Sequence, residues 1–108
     1  MHEKLRIHHA VGSRVLLDSD RDSIRFKYQQ EDSAWIFSVF TDKTPAIEEI
    51  LRLKDEINVF IFKESEGIAV QKIWFYTGDG NVSYQEDEKC LIIVARSKIV
   101  YNPEDYQM

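Results

Sequence analysis

The decisive stretch of this chain is residues 35–62, WIFSVFTDKTPAIEEILRLKDEINVFIF. At its start, residues 35–40 place apolar side chains on both faces of an extended chain, which is typical of a central strand rather than an edge strand. At its end, residues 59–62 repeat that pattern. The stretch therefore predicts two strands that flank a short segment of different periodicity.

That middle segment predicts one helix, at about residues 44–55. Thr44 has the side chain of a good N-cap, and Pro45 suits the first helical position because its missing N–H would be unpaired there. Ile47 and Ile50 fall on one stripe of such a helix. Because the stripe is narrow, we expect the helix to lie against one face of a sheet.

Outward from this stretch, short segments rich in β-branched and aromatic residues alternate with turns, which predicts further strands. The chain is expected to form a single α+β domain over residues 1–108. Its bent, mainly antiparallel sheet would have about seven to nine short strands, with the helix inserted in mid-chain. Asp79-Gly80 favours a tight turn, so residues 77–81 predict a hairpin that pairs residues 68–76 with residues 82–84.

Composition excludes several classes of function. The 108 residues carry 14 basic and 19 acidic side chains, a net charge of −5, and all of this net charge lies in residues 42–108. An acidic half repels phosphate backbones, so nucleic-acid binding is disfavoured. The apolar runs are too short for a membrane helix. The single cysteine favours a reducing compartment, so we expect a cytoplasmic protein.

Motifs for catalysis or metal binding fail when their spacing is followed through. Residues 18–22 begin like a calcium loop, but Gln29 stands where the loop needs a bidentate glutamate. His8 and His9 would point to opposite faces of a strand and so cannot chelate one ion together. Cys90 lies in an apolar strand, without the surroundings of an activated thiolate. We therefore expect no enzyme, no cofactor and no metal.

Aromatic and acidic residues give the remaining signal. Two Trp, five Tyr and six Phe exceed what one small core readily buries, and interfaces are enriched in Trp and Tyr. Trp74 and Tyr76 share a strand face, Tyr84 would stand beside them on the hairpin partner, and residues 86–88 form an acidic turn. The predicted partner-binding residues are Trp74, Tyr76, Tyr84, Glu86, Asp87 and Glu88.

The leading hypothesis is a non-catalytic protein-binding module. It would act as an acidic intracellular inhibitor, immunity-type protein or phage-type antagonist that occludes the surface of a protein partner. Charge complementarity predicts a partner with a basic surface. An unpaired edge strand would also allow a homodimer.

The main alternative is a small-ligand-binding domain, with a pocket between the sheet and the helix. Trp35 or Trp74 would line such a pocket. An anionic group of the ligand would then meet one of three arginines: Arg14, Arg25 or Arg96. An enzyme without a readable motif and a self-assembling structural protein are two further alternatives.

Overall fold

Short strands dominate the chain. The computed structural model describes residues 2–66, 68–78 and 81–102. The strands are β1 (His2–His9), β2 (Val15–Asp18), β3 (Arg25–Glu31), β4 (Ala34–Phe40), β5 (Ile57–Ser65), β6 (Ile68–Tyr76), β7 (Val82–Gln85), β8 (Cys90–Ala95) and β9 (Ser97–Tyr101). The helix α1 (Pro45–Arg52) lies between β4 and β5 and is followed by a 3-10 turn, Lys54–Glu56.

The nine strands form two antiparallel sheets. The large sheet has the order β2-β1-β5-β6-β9, and the small sheet has the order β3-β4-β8-β7. This confirms the predicted α+β fold with mostly antiparallel strands and one mid-chain helix. The strands are divided between two sheets that face each other, rather than forming one bent sheet.

One hydrophobic core fills the space between the sheets. Alternate residues of each central strand point into it, as the period of two requires, and many of them have no exposed surface. Phe37 of the small sheet and Phe75 of the large sheet meet there edge to face, with ring centroids 4.8 Å apart. The two sheets and α1 therefore share a single core.

Helix α1 closes one side of this sandwich. Its N-terminus is capped as expected, because the Ile47 N–H donates a hydrogen bond to Thr44 Oγ1 (3.4 Å) and Pro45 begins the helix. Ile47 and Ile50 are fully buried. The helix packs against β2 and β7, which are the edge strands of the large and the small sheet, so it bridges the gap between them.

The predicted hairpin between β6 and β7 is wrong. In the large sheet, β6 lies between β5 and β9, whereas β7 pairs with β8 in the small sheet. Both hydrogen-bonding edges of β6 are therefore occupied by other strands, and the chain crosses from one sheet to the other after Tyr76. Asp79 and Gly80, which suggested the tight turn, lie outside the described residues.

Candidate functional site: the outer face of the large sheet

The face of the large sheet that points away from the core carries aromatic and basic side chains. Antiparallel register aligns them into rows that cross four strands. The rows are Lys4–Phe62–Lys72–Tyr101, Arg6–Phe60–Trp74–Ile99 and His8–Asn58–Tyr76–Ser97. We call the following residues the aromatic-cationic face: Lys4, Arg6, His8, Phe60, Phe62, Lys72, Trp74, Tyr76, Ile99 and Tyr101.

The rings of this face form one connected cluster. Phe60 lies at its centre, with ring centroids 4.7 Å from His8, 5.9 Å from Trp74 and 6.1 Å from Phe62. Trp74 in turn lies 4.6 Å from Tyr76. Such contacts contribute about 0.5–1.5 kcal/mol per pair beyond the area they bury. The cluster is thus a packed surface layer rather than a set of isolated rings.

Cationic groups lie over several of these rings. Lys4 Nζ is 5.6 Å and Arg6 Cζ is 4.9 Å from the centroid of Phe62. Lys72 Nζ is 4.9 Å from the centroid of Phe60. The positive charges are held at the ring faces by cation–π attraction, so the face presents apolar and cationic groups side by side.

Asp18, at the end of β2, holds Arg6 in place. One carboxylate oxygen accepts hydrogen bonds from the backbone N–H groups of Asp20 (2.9 Å) and Arg21 (3.1 Å), and the other accepts from Arg6 Nε (2.9 Å). Burial raises the pKa of Asp18, but the hydrogen bonds from Arg21 and Arg6 outweigh it, and the net pKa is lowered. The carboxylate therefore stays ionised and anchors the guanidinium.

Two ring nitrogens on this face lack hydrogen-bond partners. Over residues 2–66, 68–78 and 81–102, the buried side-chain nitrogens without a partner are His8 Nε2 and Trp74 Nε1. An unpaired buried polar group costs about 1–3 kcal/mol. Burial lowers the pKa of His8, and the charges of Arg6 and Lys72 lower it further. The imidazole is thereby held neutral in a positive environment.

The six predicted contact residues fall into three places. Trp74 and Tyr76 lie on the aromatic-cationic face, as their shared strand face implied. Tyr84 lies on β7 of the small sheet and packs against the core, where its hydroxyl donates to the Thr41 carbonyl (2.8 Å). Residues 86–88 form the exposed turn between β7 and β8. Tyr84 therefore does not stand beside the other two aromatics on one sheet, because the hairpin that would place it there does not form.

The acidic turn is a separate charged surface. Glu86, Asp87 and Glu88 are all exposed, and Lys43 Nζ lies 3.8 Å from a Glu86 carboxylate oxygen. An exposed ion pair of this kind is strongly screened and contributes little. The turn and the aromatic-cationic face thus offer charges of opposite sign on different sheets.

The alternative ligand pocket is not formed by the residues that would line it. Trp35 packs edge to face on Phe75 within the sandwich, with ring centroids 5.8 Å apart. The grooves beside Arg25 and Arg96 contain neither tryptophan, and Arg14 forms an ion pair with Glu49 (3.0 Å). The groove between the strands and the start of α1 contains neither tryptophan and none of the three arginines, so the residues named for the ligand do not meet in these grooves.

In the described part of the chain, one group of side chains could hold a metal ion. Ligand atoms of His2, Asp20 and Glu64 lie within 4.8 Å of one another. They are far apart in the sequence, so spacing could not reveal them. His2 Nε2 is already 2.8 Å from Asp20, and Glu64 is 3.9 Å from Lys4 Nζ. A cation would have to displace both contacts.

Several residues of the face were not predicted from the sequence. The alternation of Lys4, Arg6 and His8 with apolar neighbours in β1 was a readable signal of one open face. The apolar pattern of residues 59–62 predicts a strand buried on both faces, which includes Phe60 and Phe62. In the structure β5 is central in its sheet, yet its second apolar face looks outward.

Comparison with known proteins assigns the chain to no group: no family model, curated protein or solved structure matches it. Within the described ranges, no helix has the length and apolar character needed to span a bilayer.

Proposed function

We propose that this chain is a non-catalytic protein-binding module that covers a partner's surface with its aromatic-cationic face. The observation that carries the proposal is a ring cluster on an outward sheet face. Helix α1, the one α-helix in the described part of the chain, packs on the core side and does not cover this face. Interface centres are rich in Trp, Tyr and Arg.

Trp74 and Tyr76 are the proposed anchors. Phe60 is only 8% exposed, so it supports the layer from below rather than offering contact area. Trp74 and Tyr76 are half-buried and have surface left to bury against a partner. Rigid aromatic side chains bury large areas at a low cost in side-chain entropy, which is why such residues dominate binding energy.

The acidic turn at residues 86–88 would contribute to association rather than to affinity. Exposed carboxylates attract a basic region of a partner over several ångströms and raise the association rate. An inhibitor, an immunity-type protein or an antagonist of a host factor would act by such occlusion. The lone cysteine, buried and unpaired at Cys90, supports an intracellular role for this module.

The test begins with capture of the partner from native-host lysate and its identification by mass spectrometry. Affinity for the purified partner is then measured calorimetrically with Trp74→Ala and with a matched variant, Phe40→Ala. Phe40 is also a half-buried ring on an outer sheet face, with Arg25 Cζ 5.5 Å from its centroid. We expect Trp74→Ala to weaken binding by about 30-fold or more, and Phe40→Ala to leave it nearly unchanged. Equal affinity of Trp74→Ala and the wild type would refute the proposed face.

The role of the acidic turn is tested separately by changing Glu86, Asp87 and Glu88 together to Gln. We expect the association rate to fall and its salt dependence to flatten, while the dissociation rate stays the same. If association is as fast and as salt-dependent as in the wild type, the turn does not steer the partner, and the prediction of a basic partner surface is wrong.

A further inference from the structure

In the part of the chain that the structure describes, strand β9 is an open edge of the large sheet. The sandwich has four edge strands, and three of them are protected. Helix α1 packs against β2 and β7. Strand β3 carries the charged residues Arg25, Lys27 and Glu31, and charged edges resist further pairing. Among residues 2–66, 68–78 and 81–102, strand β9 is paired with β6 alone, and its sequence SKIVY places two apolar residues at the edge.

These apolar residues are exposed on both faces of β9. Ile99 lies on the outer face, in the row of Trp74, and Val100 lies on the inner face, opposite Ile73. Each is 40% exposed. The small sheet has one strand fewer than the large sheet, and Lys98 reaches inward to Trp35, with its Nζ 5.1 Å from the ring. The one charged side chain of β9 thus points inward and does not hinder pairing of another strand with this edge.

The backbone groups on the open side can be assigned from the register. The Leu5 carbonyl accepts from the Ser19 N–H (2.9 Å) on the β2 side, so the even residues of β1 point to β5. In antiparallel strands the N–H and C=O of one residue point to the same side, and the side alternates along the strand. When this alternation is followed through the paired registers of β5, β6 and β9, the N–H and C=O of Lys98 and Val100 point away from the sheet.

We infer that β9 pairs antiparallel with β9 of a second copy of this chain, around a two-fold axis at Ile99. This register overlaps the two strands along their whole length. It places Lys98 opposite Val100 of the second copy, so that the two lysines are not directly opposed. Each such pair exchanges two backbone hydrogen bonds, and the two Ile99 side chains meet as a close non-hydrogen-bonded pair.

A second copy fits this edge better than an unrelated strand, because the edge is complementary to itself. Ile99 would extend the row Arg6–Phe60–Trp74–Ile99 into its symmetry mate, which joins two aromatic-cationic faces into one continuous sheet surface. Val100 would be covered by the aliphatic stem of the opposite Lys98. The inference is independent of the proposed partner protein.

The first test is sedimentation of the full chain from low micromolar to submillimolar concentration. We expect the mass to rise to twice that of one chain. Val100→Pro removes an outward N–H without removing a bond to β6 and should weaken the dimer by at least about tenfold. Val100→Thr keeps the N–H and the β-branched shape, and it should still dimerise. A monomer at every concentration, or equal dimerisation of Val100→Pro and the wild type, would overturn the inference.

A second measurement does not depend on how Val100→Pro folds. In a Cys90→Ser background, Ile99→Cys places two thiols across the proposed axis, at a Cα separation that suits a disulfide. Mild oxidation should give a covalent dimer. The control is Glu48→Cys, at an exposed position of α1, and it should stay monomeric. If Ile99→Cys crosslinks no faster than Glu48→Cys, a captured strand from another protein becomes the better occupant of this edge.

Discussion

Asp18 is the residue whose replacement tests the electrostatics of this fold most directly. The residue is buried (7% exposed), and its carboxylate accepts from two backbone N–H groups and from Arg6 Nε. In Asp18→Asn the amide oxygen can accept the hydrogen bonds from the two backbone N–H groups. The amide NH₂ then faces another donor, the Arg6 guanidinium. Hydrogen bonds to charged groups contribute about 1.5–3 kcal/mol. We expect the free energy of unfolding at pH 7 to fall by about 1–3 kcal/mol.

The same reasoning predicts the pH dependence. The folded-state pKa of Asp18 is lowered, so its contribution to stability is fully present above the pKa of an unfolded aspartate. That contribution is lost as the pH falls through the lower folded-state value. Asp18→Asn has no carboxylate to protonate. The difference in stability between wild type and variant should therefore shrink between about pH 4 and the folded-state pKa.

Urea denaturation followed by tryptophan fluorescence measures both effects. The matched control is Asp55→Asn, at an exposed residue of the 3-10 turn, and it should change stability by no more than about 0.5 kcal/mol. If Asp18→Asn is as stable as the wild type at pH 7, or if the difference is the same at pH 7 and pH 3, the account of Asp18 is wrong.

Three further predictions concern single side chains. Tyr84→Phe removes the hydrogen bond to the Thr41 carbonyl (2.8 Å) and should cost about 0.5–1.5 kcal/mol in urea denaturation; no change would mean that water replaces the bond without loss. Burial and the charge of Arg6 lower the pKa of His8, so wild-type stability should fall as the pH drops through about 6.5. His8→Gln should lose less over that interval, and parallel curves would contradict the shift. Burial raises the pKa of Tyr28 to about 12, so in an ultraviolet titration one phenol should ionise at a pH well above that at which an ordinary tyrosine ionises. Tyr28→Phe should remove that step, and if the step persists another tyrosine is responsible.

Local signals predicted the elements well. The side chain of Thr44 and the ring of Pro45 act within one turn of α1, and Ile47 and Ile50 face the core because they share a helical stripe. Each of these effects involves residues a few positions apart. The sequence therefore sufficed to place the helix near the residues where it is found.

The candidate site was predicted only in part, because only some of its features depend on residues close together in the sequence. Trp74 and Tyr76 share a face because alternate residues of any strand do so. Their contact with Phe60 and Arg6 depends instead on which strands lie beside β6, and these partners come from distant parts of the chain. The predicted neighbour, Tyr84, belongs to the other sheet.

For this protein, the amino-acid sequence by itself determined the kind of elements and their approximate number, the position of the helix and the alternation of faces along each strand. These follow from backbone geometry and from contacts within a few residues. The tertiary structure alone decided that β6 and β7 belong to different sheets, that the second apolar face of β5 looks outward, and that β9 is an open edge. Those outcomes depend on which strand edges and apolar faces meet, and many pairings of short, similar strands satisfy the same local pattern. Only the shared burial of both sheets and α1 in one core selects among them.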